Sequence, residues 1–262
     1  MHKNVILRSF GPGAALLLGA LGLGCSGVES GTGDTSGPTP NPTSTTPTRA
    51  PAFPEGTGQA AKPELKYPAG PYGINVGSIA PNFEWLGFQN AAVKKDAMQT
   101  IRLGDFYNPH VGDATYVPVD AAHDDRLYQS ELYGVGTPKP KVLLVDIGSV
   151  WCPPCNAEAK TELPSRYIKY KPLGGEFLLQ LGDGATVGKP ATQKDLYNWT
   201  TKYKVDFPAT IDPDYKLGEL FPANAWPANL MIDTRTMKIV RAVAGIPDAA
   251  FWTKFESVIN AP

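Results

Sequence analysis

The sequence predicts an α/β sandwich around a mixed central β-sheet, and three observations predict it. Short β-branched runs alternate with helical patterns from Val142 onward, a hairpin signal surrounds Asp233 to Thr236, and an amphipathic helix closes the chain. The interval between Cys155 and Pro227 leaves space for an extra strand–helix unit within that plan. At 262 residues the chain has the length of one or two domains, and its net charge of −1 gives no electrostatic footprint for nucleic acid.

Residues 1–71 read as targeting and tether. His2, Lys3 and Arg8 precede an apolar run from Ala14 to Leu23 that is too short to span a bilayer comfortably. It suits the core of a signal peptide over residues 1–24. The run ends Leu21-Gly-Leu-Gly-Cys25-Ser26, which resembles a bacterial lipobox with cleavage before Cys25 and lipid on its sulfur. Gly22 departs from that pattern, standing where Leu is usual, and a plain secretory signal with an incidental cysteine is the alternative. Residues 25–71 are rich in Gly, Ser, Thr and Pro; with almost no apolar side chain to bury they form a disordered tether, and the folded domain is expected over 72–262.

Gln89 to Pro140 shows little periodicity. Thr100 to Phe106 reads as a strand, and the part holding His110, His123, Asp124 and Asp125 reads as solvated loop, since that spacing matches no metal site. No metal or other cofactor is expected.

Lys141-Val-Leu-Leu-Val-Asp-Ile-Gly-Ser-Val-Trp-Cys-Pro-Pro-Cys155 carries the chemistry. Val142 to Ile147 reads as a buried strand, Gly148 and Ser149 break it, and a helical pattern starts at the cysteines. Two thiols separated by two residues therefore stand at a helix N-terminus, where unpaired N–H groups and the dipole favour the thiolate that attacks disulfides. Cys155 lies one turn further in, within reach of Cys152. Pro153 and Pro154 suit a first helical turn, where a missing N–H costs little. Trp151 would shield one side of the sulfurs. Asp146 interrupts the apolar strand six residues before Cys152; burial would raise its pKa and make it the acceptor for the Cys155 proton.

Val145-Asp-Ile-x-x-x-Trp-Cys-Pro-Pro-Cys155 resembles the active-site strand and loop of the thioredoxin superfamily, and Trp-Cys-Pro-Pro-Cys resembles its TlpA-like, membrane-anchored thiol-disulfide oxidoreductases. Val76-Gly-Ser-Ile-Ala-Pro-Asn-Phe83 is similar to the Gly-x-x-Ala-Pro-x-Phe segment of that group and of peroxiredoxins. The resemblance implies a thioredoxin-like fold with an N-terminal extension and a strand–helix insertion. It also implies Cys152 as nucleophile, Cys155 as resolving thiol and Asp146 as buried acid.

After Cys155 the helical pattern runs through Ala157, Leu163, Tyr167 and Ile168, with Pro164 expected to kink it later than the family's usual proline. Phe177 to Leu181 and Ala209 to Ile211 read as strands, Thr192 to Tyr203 as a helix with Thr192 and Asp195 in a capping box, and Tyr215 to Leu220 as a short helix. Pro227 matches the family's cis-proline, which exposes the backbone of the preceding residue, here Trp226, to an extended partner. Trp226 is bulkier than the family's usual residue there, so Trp151, Trp226 and Pro227 are the expected substrate contacts.

Rival functions are weaker on the residues. Half a zinc site lacks a second cysteine pair, and an inert structural bridge does not need this strand-to-helix setting. Ser149-x-x-Cys152 fits part of the antioxidant peroxiredoxin pattern, but that family's proline would fall at Val145, and Cys155 is too near. Copper-handling relatives space their cysteines one residue wider. The resemblance implies a bacterial envelope protein, lipid-anchored and facing the periplasm or exterior, exchanging disulfides with protein thiols. Oxidant, reductant and isomerase share the motif; the resemblance favours a reductant fed by a membrane electron donor.

Overall fold

The computed structural model describes residues 65–90, 97–217 and 225–262. The signal segment, Cys25 and most of the tether lie outside the described residues.

Seven strands form one sheet: β1 (Glu84–Phe88), β2 (Gln99–Arg102), β3 (Val142–Gly148), β4 (Gly175–Leu181), β5 (Ala209–Ile211), β6 (Ala228–Asp233) and β7 (Lys238–Ala244). Their order is β2-β1-β5-β4-β3-β6-β7. Strands β3, β4 and β5 are parallel, while β6 runs antiparallel to β3, β7 to β6, β1 to β5 and β2 to β1. All seven residues of β3 and of β4 are buried. Both strands are covered on both faces, which is why they read as continuous apolar runs rather than alternating ones. A parallel core, a helix leaving its central strand, a closing hairpin and a final helix constitute the thioredoxin-like fold. β5 and the helix before it are the expected insertion.

Four α-helices, α1 (Pro153–Thr161), α2 (Leu163–Tyr170), α3 (Gln193–Lys202) and α4 (Ala249–Ile259), share the core on the sheet face of Val142 and Leu144. Pro164 occupies the first turn of α2, and the chain breaks between α1 and α2 at Glu162. The Thr192 hydroxyl accepts from Asp195 N while the Asp195 carboxylate accepts from Thr192 N, closing the box that starts α3. Asp248 Oδ1 accepts from Phe251 N at 2.7 Å and starts α4.

The other face, that of Leu143, Val145 and Ile147, is covered differently. Ile101, Leu103, Phe106, Tyr128 and Tyr133 pack there, from a stretch with one short strand and only 3₁₀ turns. The loop between them that holds His110 and His123 is mostly exposed to solvent, as expected, and the residues on either side of it supply the cover. Asp124 is buried against the Arg126 guanidinium, and the His110 ring stacks on Tyr116 at 3.7 Å. The strand expected over Thr100–Phe106 ends at Arg102, where a 3₁₀ turn (Leu103–Phe106) follows. The helix expected over Tyr215–Leu220 is not begun by its described part: Tyr215 has φ 52, in the left-handed region, and Gly218 to Leu220 lie outside the described residues. Gly77 N and Ala80 N donate to Ile239 O and Met237 O at 2.8 and 2.9 Å, laying the Val76–Phe83 segment against β7.

Candidate active site

β3 delivers the chain to Gly148, and the turn Ser149–Cys152 leads into α1. Cys152 is the N-cap of α1: its backbone is extended, and its Sγ accepts from Cys155 N at 3.2 Å. Cys152 and Cys155 are joined in a disulfide with a Cα–Cα distance of 5.3 Å, and both residues are almost wholly buried. The Cys152 sulfur thus stands at the positive end of the helix. Asn156 fixes this turn from inside α1. Its Nδ2 donates to Val150 O at 3.0 Å and to Cys152 O at 2.7 Å, while its Oδ1 accepts from Tyr203 OH and from Lys202 Nζ.

Two carboxyls lie behind the pair. Asp146 points to the helix face of β3, opposite Asn229 in the β3–β6 register. Glu158, one turn beyond Cys155, is buried and accepts from Asn229 Nδ2 at 3.1 Å. Asp146 Oδ1, Glu158 Oε2 and Asn229 Oδ1 have no hydrogen-bond partner among the described residues. Burial pushes the Asp146 carboxyl up to about 7. Burial first, and the neighbouring Asp146 charge second, push Glu158 up to about 9, against the bond from Asn229. Both carboxyls therefore hold their protons to higher pH than exposed acids do.

An aromatic wall stands at the front. The Trp151 and Trp226 rings stack with centroids 6.2 Å apart, and both pack on the core that holds the cysteines. Trp226 crosses Gly182 so closely that a Cβ there would fall 2.4 Å from the ring, which is why no side chain fits at Gly182. The Trp226–Pro227 bond is cis, and Pro227 O accepts from Gly245 N at 2.6 Å. Trp151 Nε1 donates to Asp183 Oδ2 at 2.8 Å. The same oxygen accepts from Gly188 N at 2.8 Å, and Asp183 Oδ1 accepts from Tyr215 OH.

Cys152, Cys155, Asp146, Trp151, Trp226 and Pro227 thus come together at one end of β3 and β6. Cys25 lies outside the described residues. Glu158, Asn156 and Asp183 were not legible as site residues. Glu158 carries a signal in retrospect: three residues after Cys155 it shares the inward side of α1 with it, as Ala159 does.

No protein-family model matches the chain, and no curated protein matches it. Among solved structures, it is similar to a thiol:disulfide interchange protein DsbE of Chlorobium tepidum at 17% identity, covering 72% of this chain and 100% of that one with a TM-score of 0.48. A thioredoxin domain of a thiol-disulfide oxidoreductase of Bacteroides vulgatus matches at 15% identity over 72% of this chain and 100% of that one, TM-score 0.44. A secreted thiol-disulfide isomerase of Corynebacterium glutamicum matches at 14% over 79% and 100%, TM-score 0.45. At these values the functional reading rests on the geometry of the pair itself.

Proposed function

We propose that the protein is an extracytoplasmic thiol-disulfide oxidoreductase that reduces disulfides in protein partners. The observation that carries this reading is the Cys152–Cys155 bridge at the start of α1, with Cys155 N donating to Cys152 Sγ. In the reduced form the Cys152 thiolate attacks one sulfur of a partner disulfide, forming a mixed disulfide and releasing the other sulfur as a thiolate. Asp146 takes the Cys155 proton. The Cys155 thiolate then attacks Cys152 Sγ, closing the bridge and releasing the partner's second thiolate. The partner gains two electrons and the pair loses two, so a membrane or protein dithiol must restore the reduced state. Trp151, Trp226 and Pro227 form the wall against which the partner lies.

The acids support the reducing direction. A pair becomes oxidising when its thiolate is stabilised. Asp146 and Glu158 put two carboxyls and, among the described residues, no paired cation behind the sulfurs. A buried site without a cation gives a thiolate no stabilisation beyond that of the helix start, which favours the closed bridge.

Cys155→Ser should trap a mixed disulfide with partner proteins and Cys152→Ser should trap none, read on non-reducing gels. Trapping through Cys155 alone would overturn the assignment. For location, the lipobox-like run ending at Cys25 supports a lipid anchor in the bacterial envelope, with residues 25–71 as tether. Cys25→Ala should move the protein from the membrane to the soluble fraction; unchanged partitioning would remove the anchor.

A further inference from the structure

A cleft between α1 and α3 takes no part in the exchange chemistry described above. It has a volume of about 450 Å³ and is lined by Asn156, Ala157, Lys160, Lys202 and Tyr203. Trp151, Trp226 and Pro227 do not line it, so it is distinct from the aromatic wall. One of its residues is bonded to the dithiol turn: Asn156 follows Cys155 directly, and its Nδ2 donates to Cys152 O at 2.7 Å. The other side comes from α3, in the inserted strand–helix unit. Two ammonium groups and no carboxylate line the cleft. Lys169, Lys171 and Lys216 each pair with a carboxylate elsewhere on the protein. Lys160 and Lys202 are exposed and make no ion pair among the described residues. Lys202 is held by neutral groups: its Nζ donates to Asn156 Oδ1 at 3.3 Å and lies 4.8 Å from the centre of the Tyr203 ring. The neutral lining is already engaged. Asn156 Nδ2 donates to Val150 O and Cys152 O, and its Oδ1 accepts from Tyr203 OH as well as from Lys202. What the cleft offers a ligand is ammonium N–H, so its ligand is an anionic acceptor.

We propose that the α1–α3 cleft is a subsite for a carboxylate of the partner, so that disulfides with Asp or Glu close to a cysteine are preferred. This rests on the exchange reading above and names its substrate class. The occupant follows from chemistry. Exchange brings a polypeptide disulfide onto Cys152, and carboxylates are the anions that ordinary side chains carry near neutral pH. Asn156 joins the cleft to Cys152 through a single side chain, so a carboxylate held at the lysines and a sulfur held at Cys152 belong to residues near each other in the partner. Two exposed cations with no acid between them act mainly on the rate of encounter, and their effect is screened by salt.

The test uses the reduced full chain and four disulfides: a peptide with Glu flanking its cysteines, the same peptide with Gln, the same with Lys, and hydroxyethyl disulfide. The wild-type dithiol should be oxidised roughly fivefold faster by the Glu peptide than by the Gln peptide, the effect of two exposed ion pairs. The Lys peptide should be slower than the Gln peptide. Both differences should collapse at 1 M salt, where the Debye length is about 3 Å. Lys160→Gln should reduce the Glu-to-Gln ratio to about twofold. Lys160→Gln with Lys202→Gln should bring it close to one; Gln at 202 keeps a donor for Asn156 Oδ1 while removing the charge. Lys194→Gln, exposed on the same helix but outside the cleft, should keep the full ratio. Equal wild-type rates with the Glu and Gln peptides, a ratio indifferent to salt, or a double variant that keeps the full ratio each overturn the subsite. So does a loss in Lys194→Gln as large as that in Lys160→Gln, because the preference would then belong to the whole surface of α3 rather than to the cleft. A wild type inert toward all four, hydroxyethyl disulfide included, would instead refute the exchange reading itself.

Discussion

Two buried acid sites border the same disulfide and are built on opposite principles. In front, Asp183 accepts from an indole, a backbone amide and a phenol, so both its oxygens are partnered. Behind, Asp146 Oδ1 has no donor among the described residues, and Glu158 has a single amide bond from Asn229. A carboxylate with three donors is an anchor; a carboxyl with orphaned oxygens holds its proton until pH or a neighbour takes it. Similar burial therefore gives one site that fixes geometry and one that can move a proton.

The largest effect separating them should appear in stability. Asp146 ionises near 3.9 in an unfolded chain and at about 7 here. A raised folded pKa means that stability is fully present below about pH 4 and lost as pH rises through 7. Asp146→Asn removes that loss, so the oxidised variant should be more stable than wild type by on the order of 4 kcal/mol above pH 7, at 1.36 kcal/mol per unit, with the gain vanishing at pH 4. Asp183→Asn should instead be less stable by about 1 kcal/mol at neutral pH, because it weakens charge-assisted bonds. Urea midpoints against pH measure both, and equal signs would erase the contrast.

A smaller effect should appear in turnover. Asp146→Asn should slow release of the mixed disulfide by roughly 100-fold, because Cys155 loses its base. The wild-type rate should rise with pH through about 7, and the variant's profile should lack that step. An unchanged profile would transfer the proton role to Glu158, which Glu158→Gln then decides.

How much of this was legible follows from where each signal sits. Val142–Ile147 was readable because a doubly covered strand is a pure apolar run, and Asp146 stood out by breaking it. Thr192 with Asp195 and the β6–β7 hairpin were readable because their chemistry is local. Glu158 was hidden because a glutamate on a helix ordinarily faces water; only the tertiary contact with Asn229, 71 positions away, marks it as buried. Asp183 was hidden likewise, since Trp151 and Tyr215 each lie 32 positions from it. The cover of the second face escaped because Leu103, Phe106, Tyr128 and Tyr133 sit on turns with no period to detect.

The segment Gly77–Ala80 has a further consequence. By donating to Met237 and Ile239 and accepting from Ile239 N, it covers the start of the outer rim of β7, and at the opposite end of the sheet β2 is only four residues long. An open rim is a template onto which any extended polypeptide can add itself, the first step of aggregation. A protein that exchanges disulfides with other polypeptides, as proposed, would meet that hazard at every encounter. With the start of one rim covered and the other cut short, a visiting chain finds its welcome at the sulfurs and less invitation to stay on as an eighth strand.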